Sequence, residues 1–172
     1  LNLGYGGGFM GSTNYGRAPT SSGVYAEATT WSLDTWGEYL LGVSSTDGKL
    51  LEWQGNPSAN AATVANAPVD NLAMVVTEER FVFCLGAGGN PRKVAWSDKE
   101  KNTSWTDAAT NEAGDMELQT NGQIMCGVRM RGATLILTSE DAHLATYSGA
   151  PFVYGFQRVG TACGIASRKA AV

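Results

Sequence analysis

The chain has one histidine, three cysteines, and charged side chains at only 16% of its positions. With His143 alone, no histidine cluster can form, and the absence of a Cys-x-x-Cys pair removes the usual zinc-ligand spacing. Cys84, Cys126 and Cys163 are odd in number and widely spaced, so they read as buried free thiols in strands rather than a disulfide framework. No apolar run approaches the roughly 18 residues that a membrane-spanning helix requires. Basic excess is also missing: 12 Lys and Arg stand against 16 Asp and Glu, for a net charge of −4. That balance carries no electrostatic footprint for binding a nucleic-acid backbone. A charged fraction so far below the average of roughly 25% implies a surface that is largely neutral or packed against something. Sustained i, i+3, i+4, i+7 apolar spacing is absent as well, and Asp107–Gly114 offers a helical turn at most.

What the chain does have is a repeated phrase. Gly37–Trp53, Glu79–Trp96 and Arg131–Tyr147 each hold a β-rich apolar run, a turn of Gly, Ser, Asp, Asn or Pro, and a short run ending in an aromatic. Trp53, Trp96 and Tyr147 recur at intervals of roughly 40–50 residues, the period of propeller blades built as four-stranded sheets. The expected fold is all-β, a β-propeller-like array of antiparallel four-stranded blades. Both ends look internal to a longer protein: the chain opens on Leu1 without an initiator Met and stops within the apolar run Ala170–Val172. A partial propeller is therefore expected.

Residues 1–28 are rich in Gly, Ser, Thr and Tyr and too poor in aliphatics for a core, so they read as an extended arm or linker. Tyr5, Phe9, Tyr15 and Tyr25 are its candidate interface anchors. Blades are expected over about 29–71, 72–119 and 120–160, with the next starting in 161–172. In the first, the strands Thr29–Leu33, Glu38–Val43 and Lys49–Trp53 are joined by a tight turn at Asp34–Gly37 and another at Ser44–Gly48. Asn56–Asn71 carries too little apolar signal for an assignment. The second reads Leu72–Val76, Arg80–Leu85, Lys93–Trp96 and Asp115–Gln119; the third reads Ile124–Met130, Thr134–Thr138, His143–Tyr147 and Val153–Val159. A further strand is expected from Ile165.

Few residues invite a chemical reading. Gly6–Gly11 satisfies Gly-x-Gly-x-x-Gly, but Pro19 and Gly16 follow where a dinucleotide fingerprint needs a helix. Gly86–Lys93 contains Pro91 and lacks the Gly-Lys-Ser/Thr ending of a phosphate loop, so it reads as a wide hairpin turn. There is no Gly-x-Ser-x-Gly elbow to hold a nucleophile, and His143 reads as a strand residue with a local hydrogen bond. The acidic pairs Glu78-Glu79 and Glu140-Asp141 sit beside turns, where solvated charge is expected, although a glycosidase would use such carboxylates. No catalytic, cofactor or metal site is expected. The most specific motif is Asp98–Trp105, which resembles a degenerate Asp-box, the turn between third and fourth strands of sialidase-type propellers. In that resemblance Glu100 takes the place of the acid, Asn102 that of the Gly, and Ser104 and Trp105 match the end. The acid would accept backbone N–H bonds, Asn102 would supply a positive φ, and Trp105 would plug the space between sheets.

As a whole the sequence resembles the large propeller-containing structural proteins of tailed bacteriophages, including the hub and nozzle proteins of short tails. The matching stretches are Gly4–Arg17, Trp31–Leu41, Lys49–Trp53, Lys93–Asp98 and Cys163–Ala170. The resemblance implies a non-enzymatic virion component that packs with other copies of itself in a ring. It also implies contact with other tail proteins, adaptor and fibre, and passage of DNA without specific binding. Two other readings remain: a polysaccharide-degrading domain using Glu78, Glu79, Glu140 or Asp141, and a carbohydrate-binding propeller of a receptor-binding protein with Trp31, Trp36 and Tyr154 as stacking surfaces.

Overall fold

A computed structural model describes residues 29–171, which form twelve strands and one short 3-10 turn, Ala87–Gly89. The candidate anchors Tyr5, Phe9, Tyr15 and Tyr25 and the glycine run at Gly6–Gly11 lie outside the described residues. The strands fall into three four-stranded antiparallel sheets, each in simple sequence order. The first holds β1 (Trp31–Trp36), β2 (Tyr39–Ser44), β3 (Leu50–Trp53) and β4 (Ala62–Thr63). The second holds β5 (Ala73–Val76), β6 (Val82–Leu85), β7 (Lys93–Trp96) and β8 (Gly114–Glu117). In the third are β9 (Ile124–Met130), β10 (Ala133–Thr138), β11 (Asp141–Gly149) and β12 (Val153–Thr161).

The sheets stack face to face, with the second in the middle. β5 and β6 are buried at every position, which explains why they read as unbroken apolar runs, AMVV and VFCL. Alternate side chains of these strands feed two separate cores. Met74, Val76, Val82 and Cys84 meet Trp36, Leu41, Val43 and Leu50 of the first sheet. Val75, Phe83, Leu85 and Trp96 meet Ile124, Ile136, Ala145 and Tyr154 of the third. This second core is aromatic: the Tyr154 ring stands edge-on to Phe83 at 4.7 Å and to Phe81 at 5.2 Å between centroids. β10, which faces a core on one side only, shows the alternation that β5 and β6 lack.

The leading strands of the sheets, β1, β5 and β9, lie side by side and run in the same direction. β5 pairs with β6 along one edge, and the other edge is met by side chains of β1. Ser32 Oγ donates to the Met74 carbonyl at 2.7 Å and accepts from the Met74 N–H at 3.3 Å. Asp34 Oδ2 accepts from the Val76 N–H at 2.9 Å. On the other side β9 approaches so closely that a Cβ at Gly127 would sit 2.8 Å from Val75 and 2.9 Å from Leu85. The turns that follow β5 and β9 gather at one end, where Glu78 accepts from the Gly132 N–H at 2.6 Å.

Four sequence expectations change here. β1 runs on to Trp36 and turns at Gly37-Glu38, not at Asp34–Gly37; Gly37 has φ +64°, and Asp34, a turn-favouring residue, is held in the strand by its bond to β5. β4 lies in the unassigned segment, because a two-residue exposed edge strand carries no apolar signal. Residues 162–171 form no strand. Cys163 and Ile165 donate to the Glu140 and Thr138 carbonyls around the β10–β11 turn, and Arg168 donates to the Leu72 carbonyl, so side-chain and turn contacts rather than a ladder hold the segment. Cys163 is exposed outside the strands, whereas Cys84 and Cys126 are buried within them. Burial pushes the Cys84 thiol far above its ordinary value.

If the middle sheet is the shared core, Phe83→Ala will lower unfolding free energy by about 3–5 kcal/mol, while Leu33→Ala, on an open face, will cost less than about 1 kcal/mol. Urea unfolding of both variants measures this; equal, mild losses would show that the second sheet does not carry the stack.

Candidate functional site

The strand alternation that builds the cores also fixes what the stack presents at its two ends. On the first sheet, Trp31, Leu33, Leu40, Leu51 and Trp53 point away from the second sheet, with Leu33 draped over Gly42. Trp31 is 44% and Leu33 57% exposed. The same face carries Thr35, Ser44 and Thr63 and no charged residue. On the third sheet the outward positions are Cys126, Val128 and Met130 of β9, Ala133, Leu135 and Leu137 of β10, and Ala142 and Leu144 of β11. Again none is charged. Cys163 lies over the lower part, beside Gly160 and Ala142, while Met130 at the top is 46% exposed. A solvated antiparallel face normally alternates to polar residues, so both ends depart from that pattern.

The end where the turns gather is knitted by charge. The Arg80 guanidinium sits over the Trp36 ring at 4.9 Å, tying the second sheet to the first. Glu78 ties it to the third through Gly132, and Tyr154 Oη donates to Glu79 at 3.2 Å. Burial, reinforced by Glu79, pushes the Tyr154 phenol well above its ordinary range. At the opposite end a buried polar cluster closes the β10–β11 turn. Asp141 Oδ1 accepts from Thr138 Oγ1 at 2.6 Å and Thr120 Oγ1 at 2.8 Å, and Thr138 Oγ1 accepts from the Asp141 N–H at 2.9 Å. Burial pushes the Asp141 carboxyl up, but these hydroxyls and neighbouring His143 outweigh it and hold it below the ordinary carboxylate range. His143 is buried on β11 with Nε2 3.2 Å from Asp141 Oδ1, near but outside hydrogen-bonding geometry.

The acidic pairs are not brought together. Glu78-Glu79 lies at the β5–β6 turn beside Gly132, whereas Glu140-Asp141 lies at the other end of six-residue β10. A strand of that length spans about 20 Å at 3.3 Å per residue, too far for two carboxylates to share a glycosidic bond. The three candidate stacking aromatics are likewise separated. Trp36 and Tyr154 are buried in different cores, and only Trp31 is open. Two small clefts open between the sheets. One of about 240 Å³ is lined by Met116, Gln119, His143, Phe156 and Arg158; another of about 200 Å³ lies beside Trp105 and the Lys93–Asp115 ion pair. Among the described residues, no group of three His, Cys, Asp or Glu side chains could hold a metal ion, and no helix is long and apolar enough to cross a membrane.

Asp98–Trp105 does lie between the third and fourth strands of its sheet, β7 and β8, but its roles are shifted from those expected. Asp98, not Glu100, is the acid that accepts backbone bonds, from Lys99 at 3.0 Å and Glu112 at 2.9 Å. Glu100, not Asn102, has the positive φ, +56°, and its carboxylate reaches outward to within 3.9 Å of Arg80. Asn102 donates through Nδ2 to Glu52 of the first sheet. Ser104 accepts from Asn111 at 3.3 Å, and Trp105 packs against the core between the first and second sheets while donating to the Asn102 carbonyl at 2.6 Å. Sequence reasoning missed Ser32, Asp34 and Gly127 as coupling residues. The available signal was two small polar residues at alternate positions of one strand and a glycine within an apolar one.

No family model, curated protein or solved structure matches the chain.

Two measurements probe these local arrangements. Asp98→Ala should destabilise by about 1–3 kcal/mol through lost backbone caps, whereas Glu100→Gly should be neutral or stabilising by up to about 1 kcal/mol; denaturant titration reads both, and the reverse order would restore the acid role to Glu100. Because Asp141 has a folded pKa below its unfolded one, it stabilises the fold above the unfolded value near about 4, and this contribution disappears as pH falls through the folded value. Asp141→Asn should therefore flatten the acid side of the stability–pH profile; an unchanged profile would remove Asp141 from it.

Proposed function

We propose that the chain is a non-enzymatic structural component of a bacteriophage tail, of the hub or nozzle type, and that its three sheets are blades of a propeller-like array. The observation that carries this reading is the contrast between β5 and β6 of the middle sheet, buried on both sides, and the uncharged, open faces at both ends. A sheet stack of this kind gains stability by continuing, so its work is to be packed between neighbours. Resemblance of Trp31–Leu41, Lys93–Asp98 and Cys163–Ala170 to tail propeller proteins supplies the biological setting. A net charge of −4 suits a passage along which DNA moves without being held. Other copies of the chain, together with adaptor and fibre proteins, are the proposed partners, and the virion is the proposed location. The separated acidic pairs and the buried Trp36 and Tyr154 favour this role over glycan cleavage or glycan stacking.

Mass spectrometry of gradient-purified phage particles, combined with antibody labelling against Thr29–Val172, tests the assignment. The protein should be present in constant stoichiometry and labelled at the tail. Particles that lack it, or label on the head alone, would overturn the reading.

A further inference from the structure

We infer that the open face of the third sheet receives the open face of the first sheet of a second copy, so that copies associate head to tail. The inference builds on the assembly role proposed above and names the surface that performs it. Its basis is a relation the chain already makes twice. The first sheet meets the second, and the second meets the third, with leading strands side by side and parallel. A third step in the same sense places β1 of another copy beside β9. The two faces that would meet are both apolar and free of charge, Leu33 and Trp31 opposite Val128 and Leu135. Trp31 and Leu33 of one face and Met130 of the other are exposed, and Val128 and Leu135 are partly so.

Charges at the rim select the partner and its direction. Glu38 follows Gly37 in the β1–β2 turn, and Arg131 precedes Gly132 in the β9–β10 turn; both are exposed, and both occupy the end where the turns gather. Within the chain, adjacent turns at this end are already joined through Glu78 and Arg80. Head-to-tail stacking brings Arg131 of one copy toward Glu38 of the next. Stacking of two first-sheet faces would instead leave Glu38 without an opposite charge. An exposed ion pair adds little affinity, so the apolar faces supply the binding and the charges supply orientation. Since the described residues of each copy present one open face of each kind, the contact continues beyond a dimer and closes into a ring when the rotation permits.

Sedimentation equilibrium of the chain, with single-face variants, tests the inference. Leu33→Glu and Met130→Glu alter side chains that are already about half exposed, so both should keep wild-type circular dichroism and thermal unfolding. Should either unfold, Thr35→Glu replaces the first and Ala133→Glu, at an outward and partly exposed position of β10, the second. Wild type should associate beyond the dimer as concentration rises, and each variant alone should be monomeric. An equimolar mixture of the two should form dimers and nothing larger, because each supplies the face the other lacks. Arg131→Glu should weaken wild-type association roughly tenfold, and adding Glu38→Arg should restore it. A wild-type monomer at all concentrations overturns the inference, as does a variant that dimerises alone or a mixture that stays monomeric. Finding the protein in phage tails while it stays monomeric in solution would remove this interface and leave the tail assignment intact. Association in solution by a protein absent from particles would do the reverse.

Discussion

Water reaches neither face of β5 and β6 in the second sheet, and the rest of the molecule is arranged around that constraint. Phe81, Phe83, Leu85, Val82 and Val94 are fully buried, yet they point in opposite directions into two cores. Burying each such side chain is worth about 1.5–3 kcal/mol; for Val82 that depends on the first sheet, and for Phe81, Phe83, Leu85 and Val94 on the third. No four-stranded sheet with two apolar faces can hold this arrangement by itself. The three sheets therefore belong to one cooperative unit, even though each is locally a simple meander.

Close stacking creates a problem at the leading strands, because β5 uses only one of its edges for pairing with β6. An unpaired backbone group buried between sheets costs about 1–3 kcal/mol. The chain meets this with side chains on one flank, where Ser32 and Asp34 act as the missing strand for Met74 and Val76. On the other flank it removes a side chain altogether, at Gly127, so that β9 can lie against Val75. Polar bridging and close approach are two solutions to the same spacing. They join the leading strands across the stack, and the charged turns above them, Arg80 over Trp36 and Glu78 on Gly132, tie its end.

That logic explains which parts of the fold could be read from residues alone. β5, β6 and β7 announce themselves because double burial writes unbroken apolar runs, and β10 does so because single burial writes alternation. β4 writes nothing, being two exposed residues held only by pairing with Leu51 and Glu52. Asp34 misleads for a more instructive reason. Its local chemistry favours a turn, but a partner some forty residues away, the Val76 N–H, decides its conformation. Asp98 and Glu100 exchange roles for a similar cause, since the N–H of Glu112, beyond the turn itself, fixes which carboxylate faces inward. Low charge was legible from the start as a sign of packed surface; which surface, the outward sides of β1 and β10, required the register.

The end faces are where stability and function meet. A β-rich protein exposing Trp31 and Leu33 on one sheet and Met130 on another carries a standing liability to adhere. Proteins that remain alone usually place charge on such faces, and here the charges stop at the rim: Glu38 above the first face and Arg131 above the third. Rim charges leave the adhesive area intact and restrict how it is approached. Opposite signs at the same end of the two faces favour one polarity of stacking and disfavour its reversal. The same uncharged faces that make a lone stack incomplete thus make an ordered array its natural continuation.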